Sequence, residues 1–173
     1  SDFFQAGIRS SHSLELDGGT DKAQARLSIL YSTATGIIPN SSLDKYNFSF
    51  SGSAKLTDKL SINGRANYII QSTKNRPNLA DSPDNPMYSF LRMPRNIQLN
   101  DMRTYQDANG FPILWDGLAK SYTDDISKNQ NPFWSIYKNY NNDNRYRLMA
   151  NMSLKYDFTS HLSLMLRGGT DFI

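Results

Sequence analysis

Apolar and polar residues alternate with a period of two along most of this chain, the pattern of strands with one wet and one dry face. From 46 to 56 the even positions read Tyr46, Phe48, Phe50, Gly52, Ala54 and Leu56, against Asn47, Ser49, Ser51, Ser53 and Lys55. From 60 to 70 they read Leu60, Ile62, Gly64, Ala66, Tyr68 and Ile70, with Ile69 the one apolar intruder on the other face. From 146 to 156 they read Tyr146, Leu148, Ala150, Met152, Leu154 and Tyr156, with Met149 the exception. Leu162, Leu164 and Leu166 continue the pattern, as do Ala25, Leu27, Ile29 and Tyr31, and Leu14 with Leu16. Six strands follow, at about 10–17, 24–33, 45–56, 60–71, 145–156 and 162–172. No charged residue falls on an apolar face within these alternating runs.

The connections alternate between short and long. Asp17-Gly18-Gly19-Thr20-Asp21-Lys22, Thr57-Asp58-Lys59 and Asp157-Phe158-Thr159-Ser160 read as tight turns, whereas 32–44 and 72–144 read as longer loops. All tight turns then lie at one end of the sheet and all long loops at the other. Outer-membrane barrels are built this way, with short periplasmic turns and long extracellular loops. Tyr31, Tyr46, Tyr68 and Tyr146 share the apolar face at the long-loop end, and Tyr156 with Phe158 marks the opposite end. Membrane interfaces select such girdles, because the ring is apolar and the hydroxyl stays wet. The expected fold is therefore all-β: an antiparallel transmembrane β-barrel, of which this chain supplies about six strands. A soluble β-sandwich also alternates and carries strand tyrosines, but it does not require them to share one end.

Composition sharpens this picture by exclusion. The apolar fraction is 38%, below the ~45–50% of ordinary soluble domains. Aromatic residues at 12% argue against a solvated random chain. The absence of cysteine removes disulfide scaffolds, thiolate zinc sites and a cysteine nucleophile. A formal charge of +3, scattered along the chain, does not point to nucleic acid. No apolar run is long enough for a transmembrane helix. No basic and apolar leader opens the chain, so any signal peptide is expected outside it. Both ends break off within strand-like patterns, from Ser1-Asp2-Phe3-Phe4 to Thr170-Asp171-Phe172-Ile173, and a fragment of a longer chain is expected.

Two groups of residues are candidates for a site. Arg26, Lys55, Arg65, Arg147, Lys155 and Arg167 share the polar face against Glu15. They read either as an inner wall for anionic substrate groups or as partners of carboxylates on a plug. The 72–144 segment holds six of the seven prolines, both tryptophans and ten aromatic residues, with eight acids balancing eight bases. Trp115, Phe133, Trp134, Tyr137 and Tyr140, interleaved with Asn129, Asn131, Asn139 and Asn141, offer stacking faces and amides for a sugar, peptide or partner. The competing reading is that they form the loop's own core.

Enzyme motifs are weak. Ser42-Leu43-Asp44-Lys45 fits S-x-x-K without its companion motifs. His12 and His161 lack ligand partners at metal spacing, and Asp107-Ala108-Asn109-Gly110 lacks the terminal glutamate of a calcium loop. Asn40-Ser41-Ser42, Asn47-Phe48-Ser49 and Asn151-Met152-Ser153 match a glycosylation triplet, two of them inside strands. No enzyme activity, metal or cofactor is expected.

Several segments together resemble one family. Leu14-Glu15-Leu16-Asp17-Gly18-Gly19-Thr20, Gly36-Ile37-Ile38-Pro39-Asn40, Leu43-Asp44-Lys45-Tyr46-Asn47-Phe48 and Leu56-Thr57-Asp58-Lys59-Leu60 resemble the SusC-like TonB-dependent transporters of Bacteroidetes outer membranes. The likeness is strong over 12–71 and looser over 72–144, where Asn131-Pro132 fits, and over Leu162 to Asp171. Lys45 stands where the family more often has arginine, which keeps the charge. The resemblance implies a plugged barrel of about 22 strands, with plug and TonB box outside this chain. It implies import of glycan or peptide oligomers across a Gram-negative outer membrane, energy from TonB, and a SusD-like surface lipoprotein as lid. These motifs are structural and identify no substrate. Two alternatives carry other functions: a soluble all-β glycan-binding module using Trp115 and Trp134, or a small complete barrel, for which six strands are too few.

Overall fold

The computed structural model describes residues 3–80, 82, 85–115, 130–139 and 141–173. Six strands form one mostly antiparallel sheet in simple chain order: β1 (Arg9–Gly19), β2 (Ala23–Thr35), β3 (Ser42–Lys55), β4 (Leu60–Lys74), β5 (Asp143–Asp157) and β6 (Ser163–Phe172). The alternation therefore marks real strands, but several run further than it predicts. The polar stretch Ser32-Thr33-Ala34-Thr35 continues β2, because β-branched threonines sit well on a pleated surface. The connection expected over 32–44 shrinks accordingly to 36–41. The longer strands also bring Asp44 onto the apolar side of β3, where Tyr31 donates its hydroxyl to the carboxylate at 3.1 Å.

The chain divides into two compact units. The first, here the sheet unit, comprises Arg9–Thr33, Asp44–Ser72 and Asn144–Ile173. Its register is continuous. Met152 pairs with Gly168 and Leu154 with Leu166 across β5 and β6. Tight turns close the hairpins, with Thr20 N–H donating to the Ala23 carbonyl and Leu56 N–H to the Leu60 carbonyl. Gly19 is required at the first, since a Cβ there would run into the Ala23 carbonyl. Strands β1 and β6 each pair on one side only, so each leaves a row of backbone groups open along its outer edge.

The sheet unit has an unusual distribution of apolar surface. Phe50 is 50% exposed, Met152 58% and Leu166 60%, and Leu14, Tyr46, Phe48, Tyr146 and Leu164 are exposed as well. All seven buried apolar side chains among the described residues belong to the other unit: Phe3, Ile38, Met102, Leu114, Phe133, Trp134 and Ile136. The apolar face that the alternation builds is left without a covering layer within its own unit.

The second, or loop, unit comprises Ser1–Ile8, Ala34–Leu43 and Thr73–Asp143. A long irregular loop was the expectation for 72–144, yet two short helices form in it: α1 (Pro86–Arg92) and α2 (Pro132–Tyr137). A 3-10 turn spans Asp101–Arg103. Helices of one to two turns are too short to show a 3.6-residue pattern. Their start signals are nonetheless present. Asn85 and Asn131 are N-caps whose side chains accept from the N–H groups of Met87 and Phe133, and Pro86 and Pro132 occupy the first helical positions. The core gathers Phe3, Ile38, Met102, Phe133 and Ile136, with Phe90, Leu99, Tyr105 and Trp115 packed against it.

Ile136 is 1% exposed at the centre of this packing. Ile136→Ala should destabilise the loop unit by about 2–5 kcal/mol, the usual cost of truncating a core aliphatic residue. Amide exchange across 130–139 should then accelerate while β5 and β6 keep their protection. Unchanged exchange in 130–139 would contradict the core assignment.

Candidate functional site

In the sheet unit, one groove of about 1140 Å³ touches residues from all six strands. A flat sheet cannot do this, so the unit curls around the side that forms the groove. That side is the polar one. Hydrogen bonds from Lys55 N–H to the Lys22 carbonyl, Leu56 N–H to Leu60 and Asp157 N–H to Lys59 set the antiparallel registers. The side-chain bond from Ser49 to Asn67 agrees with them. One row then runs Asp17, Arg26, Ser51, Arg65, Asn151, and the next runs Gln24, Ser53, Asn63, Ser153, Arg167. Because side chains alternate between faces, both rows project into the groove.

The four arginines singled out from the sequence do not behave alike. Arg147 is held by Asp171 on the neighbouring strand through two hydrogen bonds, from Nε at 2.9 Å and from Nη2 at 2.5 Å. This bidentate pair occupies its guanidinium. Among the described residues, Arg26 and Arg65 make no ion pair with a carboxylate, and Arg167 forms one hydrogen bond, to the Met165 sulfur at 3.8 Å. These three line the groove. Lys155 is paired with Asp157 at 2.8 Å.

The loop aromatics divide differently. Phe133 and Trp134 are each 3% exposed. Phe133 packs edge-on against Phe3 at 5.4 Å and lies under the Arg103 guanidinium, and Trp134 meets Tyr105 edge-on. Their ring faces serve the unit's own core. Trp115 packs against that core, and its buried indole N–H has no hydrogen-bond partner among the described residues. Tyr137 is 39% exposed and stacks on Tyr105 at 5.5 Å, so it alone of the four described rings offers substantial surface. Tyr140 and Asn129 lie outside the described residues. The proposed stacking platform is therefore not one surface.

Three amides organise this unit: Asn75, which sequence reasoning passed over, and Asn40 and Asn131, to which it gave other roles. Asn40 and Asn75 both take left-handed backbone conformations, with φ of 62° and 51°. Both donate side-chain N–H groups to the Ile136 carbonyl, at 2.7 and 2.9 Å. That carbonyl belongs to the last turn of α2, where helices leave acceptors unsatisfied. Asn131 caps the other end of α2 and donates to the Met102 carbonyl at 2.9 Å. Gly36 and Ser41 close the loop that presents Asn40, through Gly36 N–H to Ser41 and Ser41 Oγ to Ile38. A side chain at Gly36 would strike the Ser41 hydroxyl. The Gly36-Ile37-Ile38-Pro39-Asn40 segment is thus a clamp on α2, with Ile38 in the core. Its signal was asparagine, the residue other than glycine that most readily accepts positive φ.

Other candidates resolve into local structure. Asp107 Oδ1 accepts from the N–H groups of Asn109 and Phe111, which is a turn. His12 bonds to Ser10 and His161 to Ser160. Among the described residues no three His, Cys, Asp or Glu side chains gather as for a metal, and no helix is long and apolar enough to cross a membrane.

Burial separates the aromatic residues by experiment. Trp134→Ala should cost the loop unit about 3–5 kcal/mol, as expected for a buried aromatic. Tyr137→Ala should leave its thermal unfolding within about 1 kcal/mol of the parent, consistent with a partly exposed site. Equal destabilisation by the two would contradict the packing described.

No protein-family model matches this chain, and no curated protein matches it either.

Proposed function

We propose that this chain is a barrel-wall segment of an outer-membrane importer of the kind its sequence resembles, a SusC-like TonB-dependent transporter of glycan or peptide oligomers. One observation carries the reading: the sheet unit is inside out. Its polar face lines the groove, while its apolar face is exposed. A soluble sheet protein buries the apolar face against a second layer. A membrane barrel reverses this, because lipid replaces the second layer and the lumen is wet.

Three further features support the same reading. The strands are 10 to 15 residues long, enough to cross a hydrocarbon core that needs about 9–11 tilted residues. Tyr31 and Tyr46 stack at 4.7 Å at one end of the apolar face, and Tyr156 meets Phe158 edge-on at 4.8 Å at the other. The open edges of β1 and β6 find partners in the other strands of a barrel of about 22, which abolishes exposed edges. In this reading the tight turns are periplasmic, and the connection between β4 and β5 is extracellular. TonB acts through parts of the protein outside this chain, and a SusD-like lipoprotein closes the outer mouth. A soluble glycan-binding module would leave Phe48, Phe50, Met152 and Leu164 in water.

Two experiments test this. Met152 sits on β5 between Tyr146 and Tyr156, so Met152→Arg should cost about 2–4 kcal/mol of folding stability in bilayers, the midplane value for a lipid-facing cation. A neutral effect would contradict a lipid-facing apolar side. In intact cells, a cysteine at Asn109 should react with a bulky impermeant maleimide, and one at Asp58 should not. The opposite labelling would overturn the assigned topology.

A further inference from the structure

The apolar face of the sheet is not smooth. A recess of about 310 Å³ opens in it between β2 and β5. In the register given above, Ala25, Gly52, Gly64 and Met152 form one row, with Ala54 and Ile62 in the next row toward the tight turns. Alanine and glycine make the floor, and Phe50, Ile62 and Met152 stand around it. Gln24 and Ser53 also border it, but by alternation their side chains belong to the opposite face. Strands β1 and β6 flank the recess, so its walls need no strand from outside this chain. It lies on the side away from the polar groove.

The two glycines have no internal reason to be glycine. Neither has a positive φ. At Gly64 the nearest atom a Cβ would meet is the Asn151 carbonyl oxygen, 3.9 Å away, and at Gly52 it is the Phe50 ring, at 3.4 Å. Both positions have room for a methyl group, although glycine weakens a strand. Glycine inside a strand often marks where a ligand approaches the backbone closely.

We infer that this recess binds one acyl chain of a membrane phospholipid. The inference rests on the membrane reading above, in which this face meets hydrocarbon. An empty recess there forfeits dispersion contacts along its lining, and a flexible acyl chain is what a bilayer supplies to fill it. No charged side chain among the described residues lines it, so nothing in it selects a headgroup. A protein partner needs about 800 Å² and 20–30 residues a side, whereas ten residues line this recess. Met152 lies six residues from Tyr146 and four from Tyr156 along β5, and Ala54 with Ile62 carries the recess further toward the turns. The chain therefore comes from the leaflet at the turn end, which is periplasmic in the import reading.

The test uses the intact transporter, reconstituted in phosphatidylcholine vesicles, extracted in mild detergent and weighed by native mass spectrometry. G64L and A54L each place a side chain in the recess. G168L adds the same side chain to the same face outside it, at a position with nothing within 4 Å of a Cβ. The parent should retain one more phospholipid per transporter than G64L or A54L, and G168L should match the parent. Phosphatidylglycerol vesicles should give the same difference. A54L supplies the readout if G64L does not fold. Equal retention in the parent, G64L and A54L would overturn the inference, as would an equal loss in G168L, which marks lipid held by the whole face. A dimeric parent that G64L makes monomeric, with the lipid count unchanged, would overturn it in favour of a second copy. Flotation of the same vesicles separates the readings. Protein that floats with them but shows equal retention keeps the membrane reading and loses this one, whereas protein that does not float overturns both.

Discussion

An apolar sheet face with no covering layer in its own unit is the constraint from which the rest of this structure follows. Each fully exposed Leu or Phe forgoes about 1.5–3 kcal/mol of burial in water, and the sheet unit exposes many of them. In the proposed reading, lipid takes the place of the missing second layer. The curl of the sheet around its polar side fits the same logic, since it brings serine, asparagine and arginine side chains together. The loop unit answers the burial problem in the ordinary way, with phenylalanine, isoleucine and tryptophan enclosed and its helix ends satisfied by amides.

The sheet was legible because a period of two is a local signal that survives any tertiary context, and the strand positions of Tyr46, Met152 and Leu164 follow from it directly. The end of β2 was not, because Ala34 and Thr35 carry no alternation although they extend the strand. The short helices were hidden for a related reason: six or seven residues cannot display helical periodicity, and only Asn85-Pro86 and Asn131-Pro132 announced them. The clamp on α2 was out of reach altogether. Asn40 and Asn75 reach the Ile136 carbonyl across long stretches of sequence, and such pairing leaves no trace in local pattern.

The candidate sites show how pattern and environment differ. Parity placed Arg26, Arg65, Arg147 and Arg167 on one face, but only geometry distinguishes the arginine tied to Asp171 from the three facing the groove. Aromatic abundance in 72–144 was equally readable, yet it does not say which rings are interior. Phe133 and Trp134 enclose the core, whereas Tyr137 keeps an exposed edge. The Gly36–Asn40 segment, one basis of the family resemblance, acts in the structure as a packing device, which is why it speaks to architecture and not to substrate.

The central claim is that one face of the sheet meets lipid and the other meets water. Nitroxide labels placed singly at Phe50, Ser51, Met152, Ser153, Leu164 and Met165 in bilayer-reconstituted protein test it most directly. Relaxation by oxygen, which concentrates in hydrocarbon, should be strong at Phe50, Met152 and Leu164. Relaxation by a water-soluble nickel chelate should be strong at Ser51, Ser153 and Met165, so that the two signals alternate with a period of two. Equal chelate access at both sets of positions would contradict the account.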